Sequence, residues 1–368
     1  MTGQERFQRV MNFQEVDRVP NYELGLWGQT VDRWHREGLP QDVLYLTWFE
    51  GEPFFRLDRR AFAPLQTGMI PPFEVETLEE TERYIVYRHA DGIVSKALKE
   101  GTARGTRPSM DQYLSFPVRD RQDFQAIKSR FDPDSPSRYP LWWDEMARRW
   151  QQRDYPLCLL TNGTIGLYAQ LRRWVGTEAI SYLFYDDPAL VEEMVEFTVE
   201  FTLRLTARAR GELRFDYFNF FEDFAGKGGP LLSPGLFRKF LLPGYRRIIA
   251  EFRRSGIDCF WLDSDGDTRP LIPLLLEAGI TCHWPLEQAA GMDPLALRRE
   301  YGRDLVFCGG IDKRELTKGR KEVEREVCAK IPPMRDRGGF IPHLDHTFPP
   351  DIPYDNFLYY LELKEKLL

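Results

Sequence analysis

The sequence contains little cysteine, and the cysteines it has form no recognisable site. Its 368 residues include five, an odd number, spread from Cys158 to Cys328 without a Cys-x-x-Cys pair. This pattern argues against a disulfide framework and against a thiolate zinc knuckle, and it is typical of proteins in a reducing compartment. We therefore expect a cytoplasmic location.

Long apolar runs and an excess of positive charge are also missing. No stretch of about 18 uncharged apolar residues occurs, as a membrane-spanning helix would need. The first residues, MTGQERFQRVMNF, carry charges from Glu5 onward and lack the apolar centre of a secretory signal. Asp and Glu number 57 against 50 Lys and Arg, so the net charge is −7 and no basic field attracts nucleic acid. We expect neither a membrane nor a nucleic acid as partner.

The composition that remains is that of a folded protein with a large core. Hydrophobic residues make up 42% and charged residues 29%, which excludes intrinsic disorder and fibrous architectures. Aromatic residues reach 14%, and many stand beside polar residues at segment ends, as in Phe218-Asn219-Phe220-Phe221-Glu222. This pattern favours a fold with a deep, partly aromatic cavity, and it hints at a homodimer.

Helix starts are clearly marked. Asp187-Pro188, Ser233-Pro234 and Asp293-Pro294 each place a capping side chain before a proline at the first helical position. The helix after Ser233-Pro234 should be interrupted or kinked at Pro243. Near the N-terminus, Thr2-x-x-Glu5 predicts a capping box for a short amphipathic helix.

Short β-leaning runs alternate with these helices and indicate repeated βα units. Their spacing favours a (β/α)₈ TIM barrel, with an open doubly wound sheet as the alternative. No Gly-x-Gly-x-x-Gly supports the dinucleotide-binding form of that alternative. We predict a single domain over residues 1–368, with 35–155 as an elaborated insertion containing a hairpin at 85–98 that turns at Asp91-Gly92. The predicted parallel strands are 19–24, 156–161, 215–221, 258–262, 280–284, 305–308 and 339–342.

Polar residues just past the strands of such a barrel face one mouth, which is where its chemistry would lie. Leu262-Asp263-Ser264-Asp265-Gly266-Asp267 can aim the carboxylates of Asp263 and Asp265 from one strand face, to bind a cation or to share a proton. The structural alternative is that Asp265 or Asp267 only caps the helix that begins near Arg269-Pro270, a role that Asp267 or Thr268 fits. It leaves Asp263 unexplained.

Pro342-His343-Leu344-Asp345-His346 places two of the chain's five histidines and an acid at the end of the last predicted strand. Imidazole binds metals and carries protons at neutral pH, and a nearby carboxylate can fix its tautomer. A turn held by local hydrogen bonds is the alternative.

Two glycine-containing loops follow other strands. Glu222-Asp223 opens the loop that ends at Gly229, where the acids could bind substrate or metal, unless the loop is only a solvated connection. In Cys308-Gly309-Gly310-Ile311-Asp312-Lys313, Asp312 is more readily explained as a helix cap, although it could also bind a ligand.

Several segments in this order carry a family resemblance. They are Glu5-Arg6-Phe7 through Asp17-Arg18-Val19-Pro20, Glu222-Asp223 through Leu231-Leu232-Ser233-Pro234, Leu262-Asp263-Ser264-Asp265-Gly266, Gly309-Gly310-Ile311-Asp312, and Pro349-Pro350-Asp351-Ile352-Pro353 with Asn356. Together they resemble the uroporphyrinogen decarboxylase superfamily. That superfamily also includes zinc-dependent methyltransferases that move methyl groups between corrinoid proteins and thiols. The resemblance implies a (β/α)₈ barrel.

The sequence departs from both activities of that superfamily. True uroporphyrinogen decarboxylases carry arginines just after the first strand, whereas this chain reads Tyr22-Glu23-Leu24-Gly25-Leu26-Trp27-Gly28. The methyltransferases use His-x-Cys where this chain has Asp263-Ser264-Asp265, and a cysteine where it has His346. The resemblance therefore implies a metal site of Asp263, Asp265 and His346 that suits Zn²⁺, Fe²⁺ or Mn²⁺.

The leading hypothesis is a methyl or other one-carbon transfer, or demethylation, of a small organic substrate, with a separate corrinoid protein as partner. The predicted catalytic residues are His343, Asp345 and Asp223, and the predicted substrate-binding residues are Glu23, Trp27, Asn162, Glu222, Glu287 and Asp312. One alternative is a metal-free carboxy-lyase acting on a tetrapyrrole or a smaller acid, with Asp223 or Asp263 stabilising a cationic intermediate. Another is a barrel that binds a small molecule or a partner protein without catalysis.

Overall fold

The computed structural model describes residues 1–44, 51–159 and 165–368. Its strands are β1 Ala61–Phe62, β2 Glu76–Glu80, β3 Tyr84–Arg88, β4 Val94–Leu98, β5 Gln112–Ser115, β6 Leu157–Cys158, β7 Phe218–Phe221, β8 Ala225–Gly226, β9 Gly229–Pro230, β10 Phe260–Asp263, β11 Cys282–Trp284, β12 Val306–Cys308 and β13 Phe340–Ile341. Its helices are α1 Gly3–Met11, α2 Gly28–Glu37, α3 Arg121–Lys128, α4 Trp143–Trp150, α5 Leu167–Val175, α6 Thr177–Asp186, α7 Pro188–Glu212, α8 Pro234–Leu236, α9 Leu242–Arg254, α10 Ile272–Ala278, α11 Pro294–Tyr301, α12 Lys313–Leu316, α13 Arg320–Arg335 and α14 Tyr354–Leu367.

Parallel strands form the centre of the fold. One sheet has the order β13, β12, β11, β10, β7, and β1 and β6 form a second parallel pair. A parallel bridge between Cys158 and Tyr217 joins β6 to the start of β7, and another joins Leu26 to Phe348 beyond β13. The carboxyl ends of these strands therefore point to the same side.

The architecture is α/β with parallel sheets, and no continuous ladder within the described residues closes it into a barrel. Two details differ from the sequence prediction. The run at 19–24 forms no strand, and a single parallel bridge to Phe348 follows it at Leu26. The short parallel strand β1 lies inside the predicted insertion.

An antiparallel sheet of β2, β3, β4 and β5 fills much of the insertion. The predicted hairpin is confirmed, because β3 pairs with β4 across a turn at Asp91-Gly92. Asp91 Oδ1 accepts from the Ile93 N–H at 3.1 Å, and Gly92 adopts φ +87°, a conformation that favours glycine. This sheet lies beside the carboxyl end of β7 and bounds a cavity there.

The predicted helix starts are confirmed. Asp187 accepts from the Leu190 N–H, Asp293 from the Leu295 and Ala296 N–H groups, and Thr2 and Glu5 form the capping box of α1. After Ser233 caps α8, the chain makes a π-helical turn at Phe237–Leu241 before Pro243. That wider turn accommodates a proline that lacks an N–H and would collide with the preceding turn.

The hydrophobic core is extensive, and the inner faces of the parallel strands contribute to it. Trp261, Trp284 and Tyr217 are buried there together with Cys282 and Cys308, whose sulfur atoms are 3.4 Å apart. No helix among the described residues is both long enough and apolar enough to span a membrane.

Candidate functional site

Acidic and histidine side chains collect at the carboxyl ends of the parallel strands. The Glu222 N–H donates to the Asp263 carbonyl at 2.9 Å, and the Ser264 N–H donates to the Trp284 carbonyl at 3.1 Å, so the ends of β7, β10 and β11 lie side by side. The Ile311 N–H donates to the His343 carbonyl at 3.1 Å, which brings in the segment after β13. The polar residues predicted to share one mouth thus follow neighbouring strands.

Three aspartates crowd at the centre of this cluster. Asp223 Oδ1 accepts from the Asp265 N–H at 3.4 Å. Asp263 is 5% exposed, and burial together with the charges of Asp223 and Asp265 raises its pKa well above the usual range. Burial, Asp223 and Glu287 raise the pKa of Asp265 to about 7. Like charges so close cannot all ionise at neutral pH, so the cluster holds protons there.

His346 lies against this cluster. Its Nε2 is 3.8 Å from Asp265 Oδ2, and its Nδ1 is 2.8 Å from the Thr347 hydroxyl. The Trp27 indole N–H donates to the same hydroxyl at 2.6 Å. Burial and the nearby Lys313 lower the pKa of His346 to about 4, so the ring is neutral at pH 7. Trp27 and Thr347 thus orient an uncharged imidazole towards Asp265.

His343 is buried in a single tautomer. Its Nδ1 lies 2.7 Å from the Leu344 carbonyl, which can only accept, so Nδ1 carries the hydrogen and Nε2 is an acceptor. Burial lowers the pKa of His343 to about 3. Its Nε2 has no hydrogen-bond partner in the described part of the chain.

Asn219 is a site residue that the sequence did not reveal. Its Oδ1 accepts from the Trp284 indole N–H at 2.8 Å, which fixes the amide orientation. Its Nδ2 is buried, and so is Asp263 Oδ2; within the described ranges neither atom has a partner. The Trp284 ring also meets the His343 ring edge-on at 6.1 Å. The Asn219 amide and the His343 ring thus both contact one indole and present an unpartnered donor and acceptor among the described residues, an arrangement suited to a small polar group.

Glu222 and Asp345 are buried and held mainly by backbone N–H groups. Glu222 accepts from the Leu167 and Ala169 N–H groups at 2.6 and 2.9 Å and from the Tyr245 hydroxyl, and burial raises its pKa to about 7. Asp345 accepts from the Gln288 and Lys313 N–H groups at 2.9 and 3.0 Å, and burial raises its pKa to about 6. Both carboxyls therefore position the loops around the aspartates. Glu287, which accepts from the Gly266 N–H at 2.9 Å, shapes the turn after Asp265.

Two of the predicted substrate-binding residues, Glu23 and Asp312, make contacts that stabilise the fold. Glu23 is 2% exposed, forms an ion pair with Lys364 at 2.6 Å and accepts from the Leu344 N–H at 3.0 Å. Asp312 caps α12 by accepting from the Arg314 N–H at 2.9 Å, and it also binds the Arg314 side chain. These contacts join parts of the fold and place neither carboxylate in the aspartate cluster. Asn162 lies outside the described residues.

The last member of the Leu262–Asp267 motif contacts the residue at the start of the next helical turn. Asp267 accepts from the Arg269 N–H at 3.2 Å and pairs with the Arg269 guanidinium at 2.7 Å. Asp267 is therefore held by Arg269 at the start of the next helical turn, whose N-cap residue Thr268 makes no capping side-chain hydrogen bond, while Asp263 and Asp265 remain in the cluster.

The predicted metal ligands only partly converge. Asp265 and His346 are adjacent and Asp263 presents a buried oxygen, but no group of three His, Cys, Asp or Glu side chains within the described ranges is arranged to hold an ion. The present arrangement does not form a complete metal site.

Comparisons with known proteins agree with this architecture. The model of the family Uroporphyrinogen decarboxylase (URO-D) matches residues 103–367, well over half of the chain. Among curated proteins, no match was found. Among solved structures, 31 chains match. One of them is a methyltransferase from Methanosarcina mazei, with a TM-score of 0.62 and 14% identity, and the match covers 100% of this chain and 99% of that one. At this identity the likeness shows a shared fold.

Proposed function

The chain belongs to the uroporphyrinogen decarboxylase family, as its motifs predicted, and from that premise we propose that it is an enzyme that transfers a methyl group from a small organic substrate to a nucleophilic acceptor. The observation that carries this proposal is the crowding of Asp223, Asp263 and Asp265 beside a neutral His346. The similarity to a methyltransferase fold agrees with it.

The charge of the site favours a neutral or cationic reacting group. Asp223, Asp263, Asp265 and Glu287 lie together, and Lys313 is the cation that most lowers the pKa of Asp265. The segment at residues 22–28 has no arginine that could bind the carboxylates of a tetrapyrrole. A polyanionic porphyrinogen would therefore meet repulsion, whereas a methylated ether, amine or thioether would not.

The aspartates suit acid catalysis of demethylation. When the acceptor attacks the methyl carbon, the bond to the substrate heteroatom breaks and that heteroatom keeps the electron pair. Asp265, with a pKa of about 7, can give the heteroatom a proton at neutral pH. Asp263, whose raised pKa keeps it protonated, can hold the substrate by donating a hydrogen bond, while Asn219 and His343 offer a further donor and acceptor.

Several finer features remain predictions that belong to this proposal. They are closure of the parallel strands into a (β/α)₈ barrel, a corrinoid protein as acceptor, a homodimer, a cytoplasmic location, and a divalent ion held by Asp263, Asp265 and His346. Metal analysis of the purified protein and of Asp263→Ala tests the last of these. One near-stoichiometric ion that is lost in the variant supports it.

A second candidate function is a carboxy-lyase, the chemistry that gives the family its name. An acidic site can stabilise a cationic intermediate, and Asp223 or Asp263 would have that role. The two reactions release different products, so one experiment separates them.

The test is an assay with two arms on the full chain. In the first, free cob(I)alamin replaces the acceptor protein, a panel of O-, N- and S-methyl compounds supplies the methyl group, and methylcobalamin is read by absorbance. In the second, uroporphyrinogen is supplied and carbon dioxide is measured. We expect methylcobalamin with at least one compound, at least 100-fold slower formation in Asp265→Asn, and near wild-type rates in the matched control Asp267→Asn. Release of carbon dioxide without methyl transfer would favour the carboxy-lyase. Formation of neither methylcobalamin nor carbon dioxide would contradict both candidate functions.

A further inference from the structure

One face of the strands β7 and β10 carries buried polar atoms that lack a hydrogen-bond partner. Asn219 is fully buried and Asp263 is 5% exposed, and within the described ranges neither Asn219 Nδ2 nor Asp263 Oδ2 has a partner. The indole nitrogen of the buried Trp261 is a third such atom. Buried donors and acceptors in folded proteins are almost always paired with protein, water or a ligand. A ligand that enters from the strand ends can therefore gain hydrogen bonds here.

The strand register places two of these side chains close together. Asn219 is paired with Trp261 in the β7–β10 ladder, and Asp263 is paired with Phe221, two positions further on. Residues two apart on a strand point to the same face, so Asn219 and Asp263 are diagonal neighbours on that face. With parallel strands about 4.8 Å apart and a rise of about 3.3 Å per residue, their Cα atoms are separated by about 8 Å. One small polar group can bridge two side chains across such a gap.

Trp284 fixes the orientation of the Asn219 amide. Trp284 is paired with Asp263 in the β10–β11 ladder, and its indole N–H donates to Asn219 Oδ1 on β7 at 2.8 Å. The indole therefore reaches across β10 beside Asp263. Because an indole nitrogen can only donate, the amide oxygen must face it and the Nδ2 hydrogens must face away. Asn219 thus presents a donor that cannot become an acceptor without losing the bond to Trp284.

A fixed N–H donor discriminates between the heteroatoms that can carry a methyl group. An ether oxygen accepts a hydrogen bond, whereas a thioether sulfur is a weak acceptor. An aliphatic amine is protonated at neutral pH, as the lysine side chain is, so it brings donors to a donor. A site built to hydrogen-bond one substrate group rejects analogues that leave its buried partner unpaired. The Asn219 amide therefore favours oxygen as the heteroatom that it faces.

We propose that Asn219 is a specificity-determining residue that donates a hydrogen bond to the ether oxygen of an O-methyl substrate. The inference rests on the proposed function and names the heteroatom that carries the methyl group. When the acceptor takes the methyl group, the carbon–oxygen bond breaks and the oxygen keeps the electron pair. A hydrogen bond from Asn219 Nδ2 stabilises the negative charge that develops on that oxygen. Methyl ethers, rather than thioethers or amines, are then the substrate class.

The test is NMR spectroscopy of the full chain labelled with ¹⁵N, which observes the side-chain amide of Asn219 and needs no turnover. The signal is assigned by its absence in Asn219→Asp. Two matched pairs of probes are titrated, dimethyl ether against dimethyl sulfide and methyl propyl ether against methyl propyl sulfide. We expect both ethers to shift the Asn219 amide signal and to bind at least 10-fold more tightly than the matching sulfides.

Asn219→Asp also tests the role of the donor, because it keeps the shape and the oxygen that accepts from Trp284 and replaces the NH₂ group by an oxygen. Measured by isothermal titration calorimetry, it should weaken ether binding at least 10-fold and remove the preference over the sulfides. The matched control is Asn12→Asp at the exposed end of α1, where the Asn12 amide donates to the Gln8 carbonyl. That control should leave both affinities unchanged.

Equal affinities for ether and sulfide, binding of neither, or an Asn219 signal that does not move when an ether is bound would overturn the proposal. The comparison on the wild-type chain needs no variant, so a folding defect cannot hide the result. If methylcobalamin forms from amines or thioethers and not from ethers, the proposed reaction stands and this inference fails. If ethers bind through Asn219 but no methyl transfer is found, the reaction fails and the oxygen-binding site stands.

Discussion

Removing one partner of the buried ion pair between Glu23 and Lys364 should strongly destabilise the protein. Lys364 Nζ lies 2.6 Å from Glu23 Oε1, and both side chains are fully buried. Glu23 also accepts from the Tyr360 hydroxyl at 2.5 Å, and Lys364 donates to the Tyr22 carbonyl at 2.6 Å. The pair thus joins the segment that contains Tyr22 and Glu23 to α14.

Lys364→Met keeps the length of the side chain and removes its charge. The carboxylate of Glu23 then stays buried without its cation, and an uncompensated buried charge of this kind costs about 3–5 kcal/mol. Whole domains are stable by only about 5–15 kcal/mol, so the variant should lose roughly a fifth or more of the free energy of unfolding. Pairing Lys364→Met with Glu23→Gln should recover part of that loss.

The assay is urea unfolding at equilibrium, followed by circular dichroism. Lys366→Met, two residues further along α14, is the matched control, because the Lys366–Glu362 pair has side chains that are 64% and 60% exposed. Exposed pairs contribute at most about 1 kcal/mol, so this control should lose little. A loss in Lys364→Met no larger than that in Lys366→Met would refute the structural role assigned to Glu23.

Three further predictions concern the acids near the site. Burial raises the pKa of Glu222 from 4.5 to about 7. Its contribution to the free energy of unfolding should therefore fall by roughly 3 kcal/mol as the pH rises between these two pKa values. Glu222→Gln should flatten this part of a stability profile measured by urea unfolding. Asp312→Ala should cost about 1 kcal/mol through the lost cap of α12, measured by thermal unfolding, without changing substrate affinity. Asp223→Asn should lower the pKa of Asp265, because Asp223 is the neighbouring charge that raises it most, and should move the fall in activity at high pH to a lower pH.

Features set by neighbouring residues could be predicted from the sequence. The capping side chains at Asp187 and Asp293 act within one helical turn, and Asp91-Gly92 sets its own hairpin. Asp263 and Asp265 were recognisable because residues two apart at a strand end share a face. These signals do not depend on where distant segments lie.

Contacts between distant segments could not be predicted in the same way. Glu23 lies at the end of a predicted strand, which made it a candidate ligand. Its ion-pair partner Lys364 lies 341 residues further along the chain, so no local pattern indicated the pair. Asn219 stands within an aromatic strand, and its role follows only from the register that places it beside Trp284. The cavity beside β7 is lined by residues of both the insertion and α5, which are far apart in the sequence.

Aspartates crowded at the strand ends should hold protons at neutral pH and serve as the acids of the site. The most direct measurement is ¹³C NMR of the aspartate side-chain carboxyl groups across a pH titration, with the resonances of Asp263 and Asp265 assigned through their asparagine variants. We expect Asp265 to titrate near pH 7 and Asp263 to be still protonated there. Titration of both carboxyls near pH 4, as in solvent-exposed aspartates, would contradict it.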